Sequence, residues 1–172
     1  MKKILVIALA ALLASASVFA AVDADDYSGT MVEGELGVGL NLGTTTGVAL
    51  KYGYGPFDVF TNIGVDFVGL GRHDCFSLGI ELGASWEVYD VDFGKGHHMP
   101  ITVGALVPVG LIFDDDFTLG LGFLAQAGVE YQIPDWPISF YLRLGLGLGF
   151  DLISDFECHF DGSGAIGALY MF

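Results

Sequence analysis

Ile138-Ser139-Phe140-Tyr141-Leu142-Arg143-Leu144-Gly145-Leu146-Gly147-Leu148-Gly149-Phe150-Asp151 alternates from end to end. Ile138, Phe140, Leu142, Leu144, Leu146, Leu148 and Phe150 are large and apolar, whereas Ser139, Tyr141, Arg143, Gly145, Gly147, Gly149 and Asp151 are small or polar. A period of two is the strand period, and it sends the two sets to opposite faces of a sheet. On a helix the leucines would spread around the whole circumference.

Outward from this stretch, seven more segments repeat the pattern. The first, about Met31–Leu42, sets Val32, Leu36, Val38 and Leu40 against Glu33, Glu35, Gly37, Gly39 and Asn41. The others are Thr46–Tyr54, Phe57–Val68, Phe76–Tyr89, Ile101–Phe113, Phe117–Gln132 and Ser163–Phe172. Between them lie turn signals: Gly43–Gly47, Gly55-Pro56, Gly69–Cys75, Asp90–His98, Asp114-Asp115-Asp116, Pro134–Pro137 and Leu152–Gly162. Pro108 cannot donate to a ladder, so a bulge or a local gap is expected there. Short connections imply hairpins, hence an antiparallel up-and-down sheet, and eight strands are enough to close one into a small barrel without edges.

The chain ahead of the strands has a different character. Lys2 and Lys3 precede the apolar run Ile4–Leu13, and Val18-Phe19-Ala20 has the small-residue pattern of a cleavage site, so residues 1–21 read as a signal peptide. Residues 22–30 are a short acidic lead-in, and residues 31–172 are the barrel. Cleavage would leave four basic against 21 acidic residues, a net charge of −17. That balance argues against nucleic acid and against a polybasic hold on anionic lipid. Two cysteines, Cys75 and Cys158, suggest one disulfide in an exported chain.

Two closed barrels fit eight such strands. A soluble lipocalin-like barrel would turn the apolar set inward and show water a wall of glycine with few lysines, which adds little solubility. A membrane barrel would turn the apolar set to lipid and fill a narrow lumen with small and charged residues. Aromatic banding favours the second. Tyr52, Tyr54, Phe57, Trp86, Tyr131, Trp136, Phe140, Tyr170 and Phe172 fall at one end, and Phe67, Phe76, Phe113, Phe117 and Phe150 at the other. Such belts are the girdles of outer-membrane barrels. The expected fold is all-β, an eight-stranded antiparallel up-and-down transmembrane β-barrel.

In this architecture the chain resembles the small eight-stranded outer-membrane proteins of the OmpA/OmpX/OmpW type. The last strand, with Ile166, Ala168, Tyr170 and a terminal Phe172, is similar to the C-terminal signal such barrels present to the insertion machinery. The resemblance implies location in the outer membrane, with lipid and that machinery as partners and the Gly43–Gly47, Gly69–Cys75, Asp114–Asp116 and Leu152–Gly162 loops outside the cell.

The expected lumen set is Glu33, Glu35, Lys51, Asp58, Asn62, Asp66, Glu81, Glu87, Gln126, Glu130, Arg143 and Asp151. Many carboxylates against two cations are costly to bury unless water, protons or cations accompany them. Lys51 can reach Glu35 or Asp58, and Arg143 the Gln126/Glu130 strand. Two readings stand: a salt-bridged plug, or a narrow acidic pore for small polar or cationic solutes. An acidic outer rim of Asp114, Asp115, Asp116, Asp155, Glu157 and Asp161 suggests the alternative of a surface binding protein. The spacing of these acids matches no calcium loop. Cys75 and Cys158, with His73 and His159, match no standard metal motif. His159, Asp161 and Ser163, or His73 and Ser77, are the types a lipid A-modifying enzyme would use, but they show no nucleophile–base spacing. The reading is therefore a non-enzyme without cofactor or metal.

Overall fold

The computed structural model describes residues 30–67, 76–113, 117–152 and 157–172. They form eight strands: β1 (Leu36–Gly43), β2 (Thr45–Tyr54), β3 (Phe57–Asp66), β4 (Phe76–Asp92), β5 (His98–Phe113), β6 (Phe117–Gln132), β7 (Ile138–Asp151) and β8 (Glu157–Met171). Each strand pairs antiparallel with the next, and β8 pairs with β1 through contacts such as Leu40↔Ala168, so the sheet closes into a ring. Chain ends and the β2–β3, β4–β5 and β6–β7 turns share one rim, here the terminal end. The opposite rim is the loop end.

Three spans differ from the sequence reading by three residues or more. Residues 31–35 are not strand but a turn, in which Gly34 N–H donates to the Gly53 carbonyl and Glu35 N–H to that of Val32. The β4–β5 hairpin runs further, because Asp90, Asp92 and His98 pair across it, and the chain reverses at Gly94-Lys95-Gly96 with positive φ at all three. The register shifts between Glu87 and Tyr89, the mark of a bulge. Finally, β8 begins at Glu157, so Glu157, Cys158 and Asp161 lie in a strand instead of an outer loop. At Pro108 the β5–β6 ladder skips from Leu106↔Leu124 to Val109↔Leu121 without a register change, which is a gap and not a bulge.

The two faces separate as the alternation dictates. On β7, Ser139, Tyr141, Arg143 and Gly145 are buried inside the ring while Phe140, Leu142, Leu144 and Leu146 are exposed outside. Leu144 and Leu146 are 61% and 62% exposed, whereas Lys51 and Glu81 are each 2% exposed. This inverts the usual partition, in which Lys and Glu are almost never fully buried. Outward rings gather at the terminal end, where Phe57 lies 5.3 Å from Tyr54 and 5.7 Å from Trp86, and Tyr170 lies 4.8 Å from Phe172 (centroid distances).

Candidate functional site

Ring closure turns the polar set of all eight strands onto one axis, and the interior divides into three levels. Nearest the terminal end is a charge layer. Lys51 Nζ lies 2.9 Å from Asp58 Oδ2 and 2.5 Å from Glu130 Oε2, and Arg143 Nη2 donates to Glu130 Oε1 at 3.0 Å. Two cations thus meet two carboxylates, all at most 4% exposed. Burying charge is tolerated when it is paired and hydrogen-bonded, and here both conditions hold. The Arg143 guanidinium also lies 4.0 Å over the Phe60 ring and 4.2 Å over that of Tyr141, favourable cation–π positions. Tyr141 Oη in turn donates to Asn41 Oδ1 at 2.7 Å.

A short piece of non-strand chain completes this layer. Thr30 N–H donates to Asp58 Oδ2 at 2.8 Å, and its hydroxyl lies 2.8 Å from that same oxygen and 2.7 Å from Glu130 Oε2. Lys51 Nζ donates to the Thr30 hydroxyl. Met31 N–H donates to Asp58 Oδ1, and its side chain packs with Ala49, Tyr141, Ala165, Leu169 and Met171. Below them opens a cavity of about 130 Å³ whose lining includes Glu87, Asp90, His98 and Gln132.

The middle level is apolar. Phe60, Leu106 and Leu124 are 2–3% exposed and pack together across the ring. Phe60, Gly83, Leu106 and Leu124 follow one another along a single rung of paired residues. The Phe60 ring occupies the space a side chain at Gly83 would need, since a Cβ there would come within 2.2 Å of it. Only glycine permits that packing. Beside the rung, Asn62 Oδ1, both amide atoms of Gln126 and Arg143 Nε face a space of about 10 Å³, without a hydrogen-bond partner among the described residues.

Toward the loop end the interior widens into an acidic cup of about 90 Å³. Asp66, Glu81, Asp151 and Asp161 line it, with His159 and the hydroxyls of Thr44, Thr45 and Ser163. Glu81 forms its floor and accepts from Asn62 Nδ2 at 2.7 Å, Thr44 Oγ1 at 3.0 Å and Ser163 Oγ at 2.8 Å. Its hydrogen-bond partners are neutral. His159 Nδ1 lies 3.7 Å from Asp151 Oδ2, and Ser77 Oγ donates to Asp66.

Of the expected lumen set, Lys51, Asp58, Glu130 and Arg143 meet in the charge layer, Asn62 and Gln126 flank the rung, and Asp66, Glu81 and Asp151 line the cup. Glu87 faces the terminal cavity. Glu33 and Glu35 are corrections: both sit in the turn before β1, Glu33 exposed and Glu35 accepting from Val32 N–H, because the chain there turns outside the ring between the buried Met31 and the start of β1. Asp161 is also placed differently, on the inner face of β8 at the cup, and Glu157 opposes Asp151. Cys158 opposes Phe150 on the outer face of β8. Cys75, His73, Asp114, Asp115, Asp116 and Asp155 lie outside the described residues, as do residues 1–29, so the disulfide and most of the acidic rim have no structural description. Ile166, Tyr170 and Phe172 are exposed on the outer face, with Ala168 on the same face of β8.

The sequence reading did not single out Thr30, Met31 or Leu106. The first two carry no pattern signal, and Leu106 sits beside the proline that blurs β5. Among the described residues no group of three or more His, Cys, Asp or Glu side chains is placed to hold a metal ion. Comparison with protein-family models, with curated proteins and with solved structures gives no match.

Proposed function

We propose that the chain is an integral outer-membrane barrel with a sealed, passive interior. The observation that carries this reading is the inverted partition: ion pairs inside, and Leu142, Leu144, Leu146, Phe160 and Ile166 bare on the outside. An outer wall of this kind in water would form an apolar surface far beyond the few hundred Å² that soluble monomers expose. In lipid the same wall needs no cover, and the closed ladder leaves no unpaired strand edge. The outward rings at the terminal end support an interfacial girdle, and the C-terminal Ile166–Phe172 pattern supports insertion by the barrel machinery.

The filled charge layer and the Phe60–Leu106–Leu124 rung favour a structural role over passage of solute. A second reading rests on the cup: its four carboxylates favour small cations entering from the loop end, as in a narrow cation-preferring pore. An enzyme is not favoured, since Ser163 Oγ is committed to Glu81 while His159 lies by Asp151.

The test is refolding of the chain from Val22 into lipid vesicles. The expected results are a heat-modifiable gel shift, protection from external protease, and no steady current across a planar bilayer. A monodisperse protein in buffer without detergent overturns the membrane reading, and a steady cation current from folded protein replaces the sealed barrel with the pore.

A further inference from the structure

The seal at the terminal end is made by residues that belong to no strand. Thr30 and Met31 enter the ring and take up hydrogen bonds from or to Asp58, Glu130 and Lys51, which come from three different strands. Met31 is 6% exposed, while its neighbour Val32 is 75% exposed, so the chain crosses from the axis to the outside within one residue. The crossing is held by backbone bonds between Gly34, Glu35 and Gly53. It also requires a glycine at position 53, where an added Cβ would come within 2.3 Å of the Val32 carbonyl oxygen.

We infer that Thr30 and Met31 form a plug, an internal hook that closes the terminal end of the barrel and is separable from the wall. Two features set it apart from ordinary core packing. Its bonds go to the four-charge layer, where the Thr30 hydroxyl serves as donor or acceptor to both signs of charge. Its apolar half lies on Ala49 and Tyr141, directly above the 130 Å³ cavity, so withdrawing the hook joins that cavity to the space around Ala49. The wall stays closed meanwhile, because every ladder bond of β1 to β8 lies outside residues 30–31. The hook is therefore a stopper whose release opens the terminal half alone, with the Phe60–Leu106–Leu124 rung still shutting off the cup. This follows from the interior geometry and holds whether lipid or water meets the outer wall.

The test places a thiol at Ala49, which is 2% exposed against Met31. An Ala49→Cys chain starting at Val22, with Cys75→Ser and Cys158→Ser, is refolded and treated with a small cationic methanethiosulfonate. A Lys95→Cys chain in the same background serves as the exposed reference. In intact chains the thiol at position 49 is expected to react at least tenfold slower than the reference. Starting the chain at Val32, or adding Gly53→Ala to the full chain to lift the hook, is expected to close most of that gap, with the heat-modifiable shift retained. Should the shortened chain fail to fold, the Gly53→Ala chain and a Thr30→Ala/Met31→Ala chain carry the test. Rapid labelling of the intact chain overturns the plug, and so does unchanged protection in folded chains without a seated hook.

Discussion

The terminal and loop halves of the interior solve the same problem in opposite ways. In the terminal half, two carboxylates meet two cations and a threonine hook. In the loop half, four carboxylates gather around an open cup, and the buried Glu81 is held by neutral donors. Of the six basic residues in the chain, two, Lys51 and Arg143, lie buried inside the terminal half. The difference teaches that a buried carboxylate can be held in two ways, Glu130 by cations and Glu81 by neutral donors, each meeting the requirement that a buried charge be hydrogen-bonded.

Breaking the matched half should cost most. Glu130 bridges both cations, so Glu130→Ala leaves the buried Arg143 without its carboxylate and Lys51 with Asp58 alone, and is expected to lose about 3–5 kcal/mol in urea unfolding from lipid vesicles. The same experiment on Glu81→Gln should cost about 1 kcal/mol or less, because its donors are neutral and the unpaired Asn62 Oδ1 can accept from the new amide. Equal losses would erase the distinction between the halves.

The outer wall is shared by both halves and separates the lipid reading from the aqueous one. Leu144→Arg should destabilise the barrel by about 2–4 kcal/mol in vesicles if Leu144 lies near the bilayer midplane, and by almost nothing if that wall meets water. Thr30→Val should follow, at about 1.5–3 kcal/mol, since it removes a hydroxyl bonded to charged groups. In the cup, Ser163→Ala should cost less, because Thr44 still donates to Glu81 and water can replace the lost hydroxyl.

The smallest effect lies at the rim, beyond the Trp86–Val103 pair. The Asp90 carboxylate, hydrogen-bonded to the His98 ring at 2.6 Å, raises the His98 pKa above its ordinary value, aided by the negative charge of Asp90, Asp92 and Glu87. A raised folded-state value means that the pair's contribution is full below the unfolded pKa of about 6.5 and fades as pH rises through the folded one. Proton NMR titration of the His98 ring should show the raised value, and Asp90→Asn should bring it down toward the ordinary one.

Legibility followed the same division. The bounds of β6 and β7 are those read from alternation, since unbroken apolar periodicity leaves one solution. The start of β8 was hidden because Glu157, His159, Asp161 and Gly162 resemble a loop, although a polar cup is where such residues fit as strand. The β4–β5 hairpin was shortened in the same way by Asp90, Asp92 and His98. Lys51 to Asp58 and Arg143 to Glu130 were readable as reaches between adjacent strands. Lys51 to Glu130 was not, because it crosses the ring.

The sequence by itself determined the strands, their hairpin order and which side chains share a face, because a period of two is a local property of the backbone. Tertiary structure alone decided which groups meet on the axis. Closure of β1 on β8 sets the distances across the lumen, bringing Glu130 to Lys51, Phe60 to Leu106 and Leu124, and the Thr30–Met31 hook to Asp58. No repeat along the chain encodes the width of a ring.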